Sequence, residues 1–99
     1  MVKRKIVWSD RAIKRLYGIL EFYDQRNKSR SYSSKLFQTI HKQVKVLIKF
    51  PEIGLKTTEE TTRGLIIEDY IVYYQITEDK IIIHSIWDCR QNPDSKIVK

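Results

Sequence analysis

The chain has 99 residues and a net charge of +7, with 41% hydrophobic and 31% charged side chains. That length holds one domain, residues 1–99, and that balance excludes a disordered or low-complexity chain. The lone cysteine, Cys89, has no partner for an internal disulfide or a thiolate metal site, so the expectation is a protein with neither metal nor cofactor. No apolar run approaches the roughly 20 residues that cross a bilayer, and residues 1–7 lack the apolar stretch of a signal peptide. The sequence therefore reads as cytoplasmic, with no membrane partner.

Charge is unevenly placed. Residues 1–50 hold thirteen basic and three acidic side chains, a net of +10, while residues 51–99 hold six and nine, a net of −3. Such a field concentrates polyanions near the first half, which suits a nucleic acid or an acidic protein equally well.

In chain order, residues 3–8 form a strand candidate that runs into Ser9-Asp10-Arg11. Ser9 is placed to cap a helix, Asp10 suits the positive end of its dipole, and Trp8 and Ile13 are spaced as a hydrophobic staple. Ala12, Leu16, Ile19, Leu20 and Tyr23 make one apolar stripe on a helix of about 15 residues. The polar stretch 24–31 reads as the break, with Asn27, Ser29 or Ser31 available to cap a second helix. Leu36, Phe37, Ile40, Val44, Leu47 and Ile48 keep a helical period up to Phe50, where Pro51 ends it. Lys45 and Lys49 fall in the last turn, the end that favours cations, and are candidate contacts for RNA or a partner. Two such helices on a short link predict an antiparallel hairpin.

From Thr61 onward β-branched and aromatic residues dominate, and three strands are expected at 62–67, 70–77 and 80–87, joined by Glu68-Asp69 and Glu78-Asp79 as two-residue turns. That register places Ile67 opposite Tyr70 and Thr77 opposite Lys80. Arg63 then shares a face with Leu65, Ile67, Val72, Tyr74 and Ile83, while Ile66, Ile71, Tyr73, Ile82, His84 and Ile86 share the other. The expected fold is α+β: an N-terminal strand, a helical hairpin, and a three-stranded antiparallel meander, with helices over one sheet face, something else partly shielding the apolar second face, and the part left exposed inviting a partner.

Several ordered segments carry a resemblance. Phe50-Pro51-Glu52-Ile53-Gly54, then Thr62-Arg63-Gly64-Leu65, then Tyr70-Ile71-Val72-Tyr73-Tyr74-Gln75-Ile76, then Ile81-Ile82-Ile83 and Trp87-Asp88-Cys89-Arg90-Gln91-Asn92-Pro93 resemble the RelE/ParE toxin superfamily. The resemblance spans Trp8 to Pro93. It implies the toxin of a type II toxin–antitoxin module, which inhibits growth and is neutralised by a cognate protein antitoxin. RelE-like members cleave messenger RNA on the ribosome, whereas ParE-like members act on DNA gyrase.

RNA cleavage needs a base for the 2′-hydroxyl, cations for the phosphate and an acid for the leaving oxygen. The candidates are Arg63 and Arg90 as phosphate forks, His84 as a group that titrates near neutrality, Glu68 as a base, and Tyr73 or Tyr74 for stacking or proton donation. The resemblance matches the RelE-type pattern at Arg63 and near Arg90. It departs where Ile71 follows Tyr70, where Leu65, Ile66 and Ile67 replace basic residues, and after Arg90, where Gln91-Asn92-Pro93 supplies no catalytic tyrosine or histidine. Three readings stay open: a ribosome-dependent endoribonuclease, a non-enzymatic inhibitor of gyrase, and a degenerate toxin that keeps only antitoxin binding.

Overall fold

The computed structural model describes residues 3–89. Its elements run β1 (Lys5–Trp8), α1 (Asp10–Asn27), α2 (Ser31–Val46), a single 3-10 turn (Pro51–Ile53), β2 (Leu55–Lys56), β3 (Thr62–Ile67), β4 (Tyr70–Ile76) and β5 (Lys80–Asp88). The strands form one five-stranded sheet in the order β1-β5-β4-β3-β2. The meander and the pairings at its two turns stand as expected: Ile67 faces Tyr70, and the Thr77 amide bonds the Lys80 carbonyl. Two features were not expected. β1 pairs parallel to β5 at one edge, and the short β2 adds a fifth strand antiparallel to β3 at the other.

Ser9 caps α1 as its position suggests, accepting the Ala12 amide at 3.1 Å. The helix then runs to Asn27, past the expected break at 24. The Asp24 carbonyl accepts the amides of both Lys28 and Ser29, and Lys28 takes a left-handed conformation (φ 51), a helix-closing geometry that here does without glycine. Only residues 28–30 link the helices. The Ser33 hydroxyl, at the start of α2, donates to the Asp24 carboxylate and ties the two together. α2 ends at Val46, before Pro51, because the amides of Leu47, Ile48 and Lys49 turn to carbonyls three residues back and tighten the chain.

The hairpin covers one face of the sheet. Ala12 and Leu16 of α1, Leu36, Ile40 and Val44 of α2, and Leu47 just beyond it meet Leu65, Ile67, Tyr70, Val72, Tyr74, Ile81, Ile83 and Ile86. Full burial of each of the Leu, Ile and Val side chains is worth about 1.5–3 kcal/mol before entropy is counted. Ile86 corrects the expected faces. Tyr73 pairs with Ser85 and Tyr74 with Ile83, so His84 is an extra residue, a β-bulge. Beyond it every side chain changes face, which carries Ile86 into the core and puts Ser85 and Trp87 on the second face. The second face is partly shielded, as expected. Ile71, Tyr73 and Ser85 are buried there and Ile66 is exposed.

Ser9 also pins the bulge, its amide donating to the Ile83 carbonyl and its hydroxyl to the His84 carbonyl, both at 2.9 Å. Replacing Ser9 with Ala removes the cap and one of those ties together. Urea unfolding should show a loss of about 1–2 kcal/mol, at the upper end for a cap, against a loss nearer 0.5 kcal/mol if the bulge tie contributes nothing.

Candidate functional site

The segment from Phe50 to Gly54 leaves α2 and crosses the end of the sheet, where two side chains of the covered face hold it. Tyr74 is fully buried, and its hydroxyl donates to the Pro51 carbonyl at 2.6 Å while accepting the Gly54 amide at 3.0 Å. Arg63, directly opposite Tyr74 on β3, donates from Nη1 to the carbonyls of Glu52 at 3.1 Å and Gly54 at 2.9 Å. Glycine is required at position 54 by space. A Cβ there would sit 2.5 Å from the Tyr74 hydroxyl oxygen and 2.7 Å from its ring. The spaced Phe-Pro-x-x-Gly, Arg and Tyr thus converge in space as a lock on the loop.

The other candidates lie apart. His84, at the bulge, contacts Gln75 through Nε2 at 2.9 Å on the face away from the helices, and Tyr73 is buried on that same face. Arg63 and His84 therefore stand on opposite sides of the sheet. Lys45 and Lys49 are exposed, on the last turn of α2 and just after it. Arg90 lies outside the described residues. Among the described residues, no cluster of His, Cys, Asp and Glu could hold a metal ion.

Three hollows succeed one another along the outer side of the hairpin. The first lies between the helices near their link, among Tyr17, Leu20, Arg30 and Phe37. The second shares Tyr17 and Phe37 and reaches Trp8 and His41. The third shares Trp8 and His41 and lies between β1 and the end of α2, with Ile6, Val44 and Ile48 as floor and Arg4, Lys5 and Lys45 as rim. Tyr17 is 59% exposed. The ring of Phe37, itself only partly covered, stacks on that of His41 at 5.8 Å.

Sequence reasoning passed over Arg15, which lies off the apolar stripe. In the fold its Nε donates to the Ile86 carbonyl at 2.9 Å, and its guanidinium lies 3.5 Å from the centre of the Trp87 ring. This closes the edge of β5 beyond the end of β1. No local pattern signals it, because the partner arises 71 residues downstream through the bulge. Tyr70 donates to the Tyr23 hydroxyl at 3.1 Å. Burial, reinforced by that contact, pushes the Tyr70 phenol above its ordinary range, and burial raises Tyr74 despite the Gly54 amide and Arg63 beside it.

Residues 6–93 match the family described as "ParE toxin of type II toxin-antitoxin system, parDE". The chain belongs to the ParE toxin family. It is thus the toxin component of a type II module, with a cognate antitoxin as partner. Among solved structures, a chain of the chromosomal ParDE TA system from P. aeruginosa superposes with a TM-score of 0.73 at 22% identity, over 87% of this chain and 96% of that one, and shares its fold. TrmO from Pseudomonas aeruginosa gives a TM-score of 0.47 at 15% identity, over 88% of this chain and 36% of that one. No curated protein matches the sequence significantly. Among the described residues of the toxin, no helix is long and apolar enough to cross a membrane.

The lock and the buried phenols can each be tested by unfolding. Gly54→Ala forces the Tyr74 ring from its seat and should cost at least about 1–3 kcal/mol; an unchanged urea midpoint would refute the crowding. Below the ordinary phenol value of 10.0, Tyr70 and Tyr74 are protonated in both folded and unfolded chains, and their contribution is fully present. Above it the unfolded chain ionises first, so stability falls as pH rises. Between about pH 9 and about pH 11 the midpoint should drop, and less steeply in Tyr70→Phe.

Proposed function

We propose that the toxin arrests growth by binding DNA gyrase without catalysing a reaction, and that its antitoxin is an acidic chain seated along the hairpin. One observation carries the first half: Arg63 and His84 stand on opposite faces of the sheet, each with a partner. Acid–base cleavage of RNA needs its groups within hydrogen-bond reach of one phosphodiester, about 3 Å. A base on one side of the sheet cannot serve a phosphate held on the other. Arg63 has the work of holding the loop after α2, and His84 has Gln75, so both have structural reasons to be present.

The second half rests on shape and charge together. The two hollows nearer β1 join exposed Tyr17 and Phe37 to a rim of Arg4, Lys5 and Lys45, while the hollow at the helix link is lined by Glu21, Asp24 and Arg30. The basic excess lies in the first half of the chain, which contains both helices and β1. An acidic segment with apolar anchors is complementary on both counts, and opposite charge would speed its encounter with the toxin.

Purified toxin at micromolar excess should inhibit supercoiling by gyrase while translated messages in a cell-free extract stay intact. Cleaved message with normal supercoiling would reverse the assignment, and loss of neither would leave a chain that only binds its antitoxin. His84→Gln should keep growth arrest within about threefold, since that side chain forms no part of an acid–base pair. Phe37→Glu should weaken the antitoxin complex at least tenfold in a titration, about 1.4 kcal/mol or more.

A further inference from the structure

A fourth cavity, of about 490 Å³, opens on the opposite flank of α1, between that helix and the ends of β4 and β5. Volumes of roughly 300–1,000 Å³ are those of small-ligand sites. Its helical wall is built from one face of α1. At 100° per residue, Phe22 and Arg26 each fall about 20° from Arg15, on either side of it, with Gly18 and Ile19 flanking the three. Tyr70 and Asp88 close the sheet end.

The donors in this cleft are poised. Arg15 is held by its Nε bond to Ile86 and its stack on Trp87, which fixes the orientation of its guanidinium. Arg26 is exposed on the last turn of α1. Tyr70 donates to the Tyr23 oxygen, which leaves the Tyr23 hydrogen to be given elsewhere. Phe22 is 57% exposed, a ring surface that a soluble protein has reason to cover.

Gly18 is the most telling member. A glycine inside a helix costs about 0.5–1 kcal/mol relative to alanine. A Cβ added here would meet nothing within 4 Å, so packing does not require the glycine. What it does is keep the wall of the cleft low between the two arginines.

We propose that this cleft binds a nucleotide unit, the phosphate on the Arg15 and Arg26 guanidiniums and the base against Phe22. A bare anion has no use for an exposed ring, and an apolar ligand has none for two guanidiniums. Stacking on an aromatic side chain beside cationic groups is how proteins hold single strands, at about 1–3 kcal/mol per base. Asp88, at the sheet end of the cleft, is engaged in an interaction of its own. The inference does not depend on the gyrase reading, because it concerns a different surface.

The same chemistry is offered by a free nucleotide and by a single-stranded nucleic acid, and two probes separate them. Full-length toxin is titrated into a fluorescein-labelled deoxyadenosine strand of about twelve nucleotides, within the usual site sizes, and ATP is tested as competitor. Binding of the strand that ATP displaces marks a site open to either source; binding that ATP leaves intact marks a single-strand site. Gly18→Leu fills the cleft without changing charge and should weaken binding at least tenfold, while its melting temperature stays level or rises. Arg26→Gln should weaken binding about three- to tenfold and reduce the salt slope by about 0.7, one phosphate's share. Lys42→Gln, an equal loss of charge on α2, should do markedly less. Failure of both probes to bind at low salt overturns the proposal. So does binding that Gly18→Leu leaves unchanged, binding that Lys42→Gln weakens as much as Arg26→Gln, or competition by poly-glutamate as strong as that by an unlabelled strand.

Discussion

One extra residue in β5 sets the geometry of this toxin. His84 has no opposite number on β4, so the side-chain alternation of the strand is reversed beyond it. Without that reversal Ile86 would leave the core and Ser85 would enter it, exchanging a buried apolar side chain for a hydroxyl. Bulges disrupt pairing and free backbone groups, and here the start of α1 receives them: Ser9 takes the carbonyl of His84 and Arg15 that of Ile86. The helix that begins beside β1 is thereby seated on a strand more than seventy residues away in sequence.

A second constraint acts at the far end of the hairpin, where the chain must turn from α2 into the sheet. Backbone groups in such a crossing need partners if they are buried. Tyr74 and Arg63 supply them from the covered face, and Gly54 leaves the room. An arginine at a strand end invites a phosphate-binding role, and a tyrosine pair in the middle strand invites stacking. The contacts give both a structural role instead: Arg63 spends Nη1 on two carbonyls, and Tyr74 presents no surface at all. This lock gives a physical reason for the spacing of the Phe-Pro-x-x-Gly, Arg and Tyr positions.

With the hairpin fastened at both ends, α1 divides unlike surfaces. On one side, with α2, it borders hollows that are apolar in their floor and basic at their rim. On the other it borders the cleft of Arg15, Phe22 and Arg26. Surfaces on opposite flanks of one helix can be shaped separately. The basic excess of the first half serves both, since fields of this kind attract any acidic partner and leave discrimination to local shape.

By itself the sequence determined what depends on near neighbours: the Ser9 cap, the hairpin, the three strands of the meander with their two-residue turns, and the face shared by Arg63, Leu65, Ile67, Val72, Tyr74 and Ile83. Periodicity, capping and turn length are local, so they are written within a few residues of where they act. The family was legible too, through ordered motifs. What only the tertiary structure decided was long-range. The parallel docking of β1, the two-residue β2 and the bulge at His84 each depend on partners distant in sequence, as does the seat of Arg15. A bulge in particular has no signature in an unbroken run such as Ile81-Ile82-Ile83-His84-Ser85-Ile86, because either face assignment satisfies the alternation until the helices choose which isoleucines to cover.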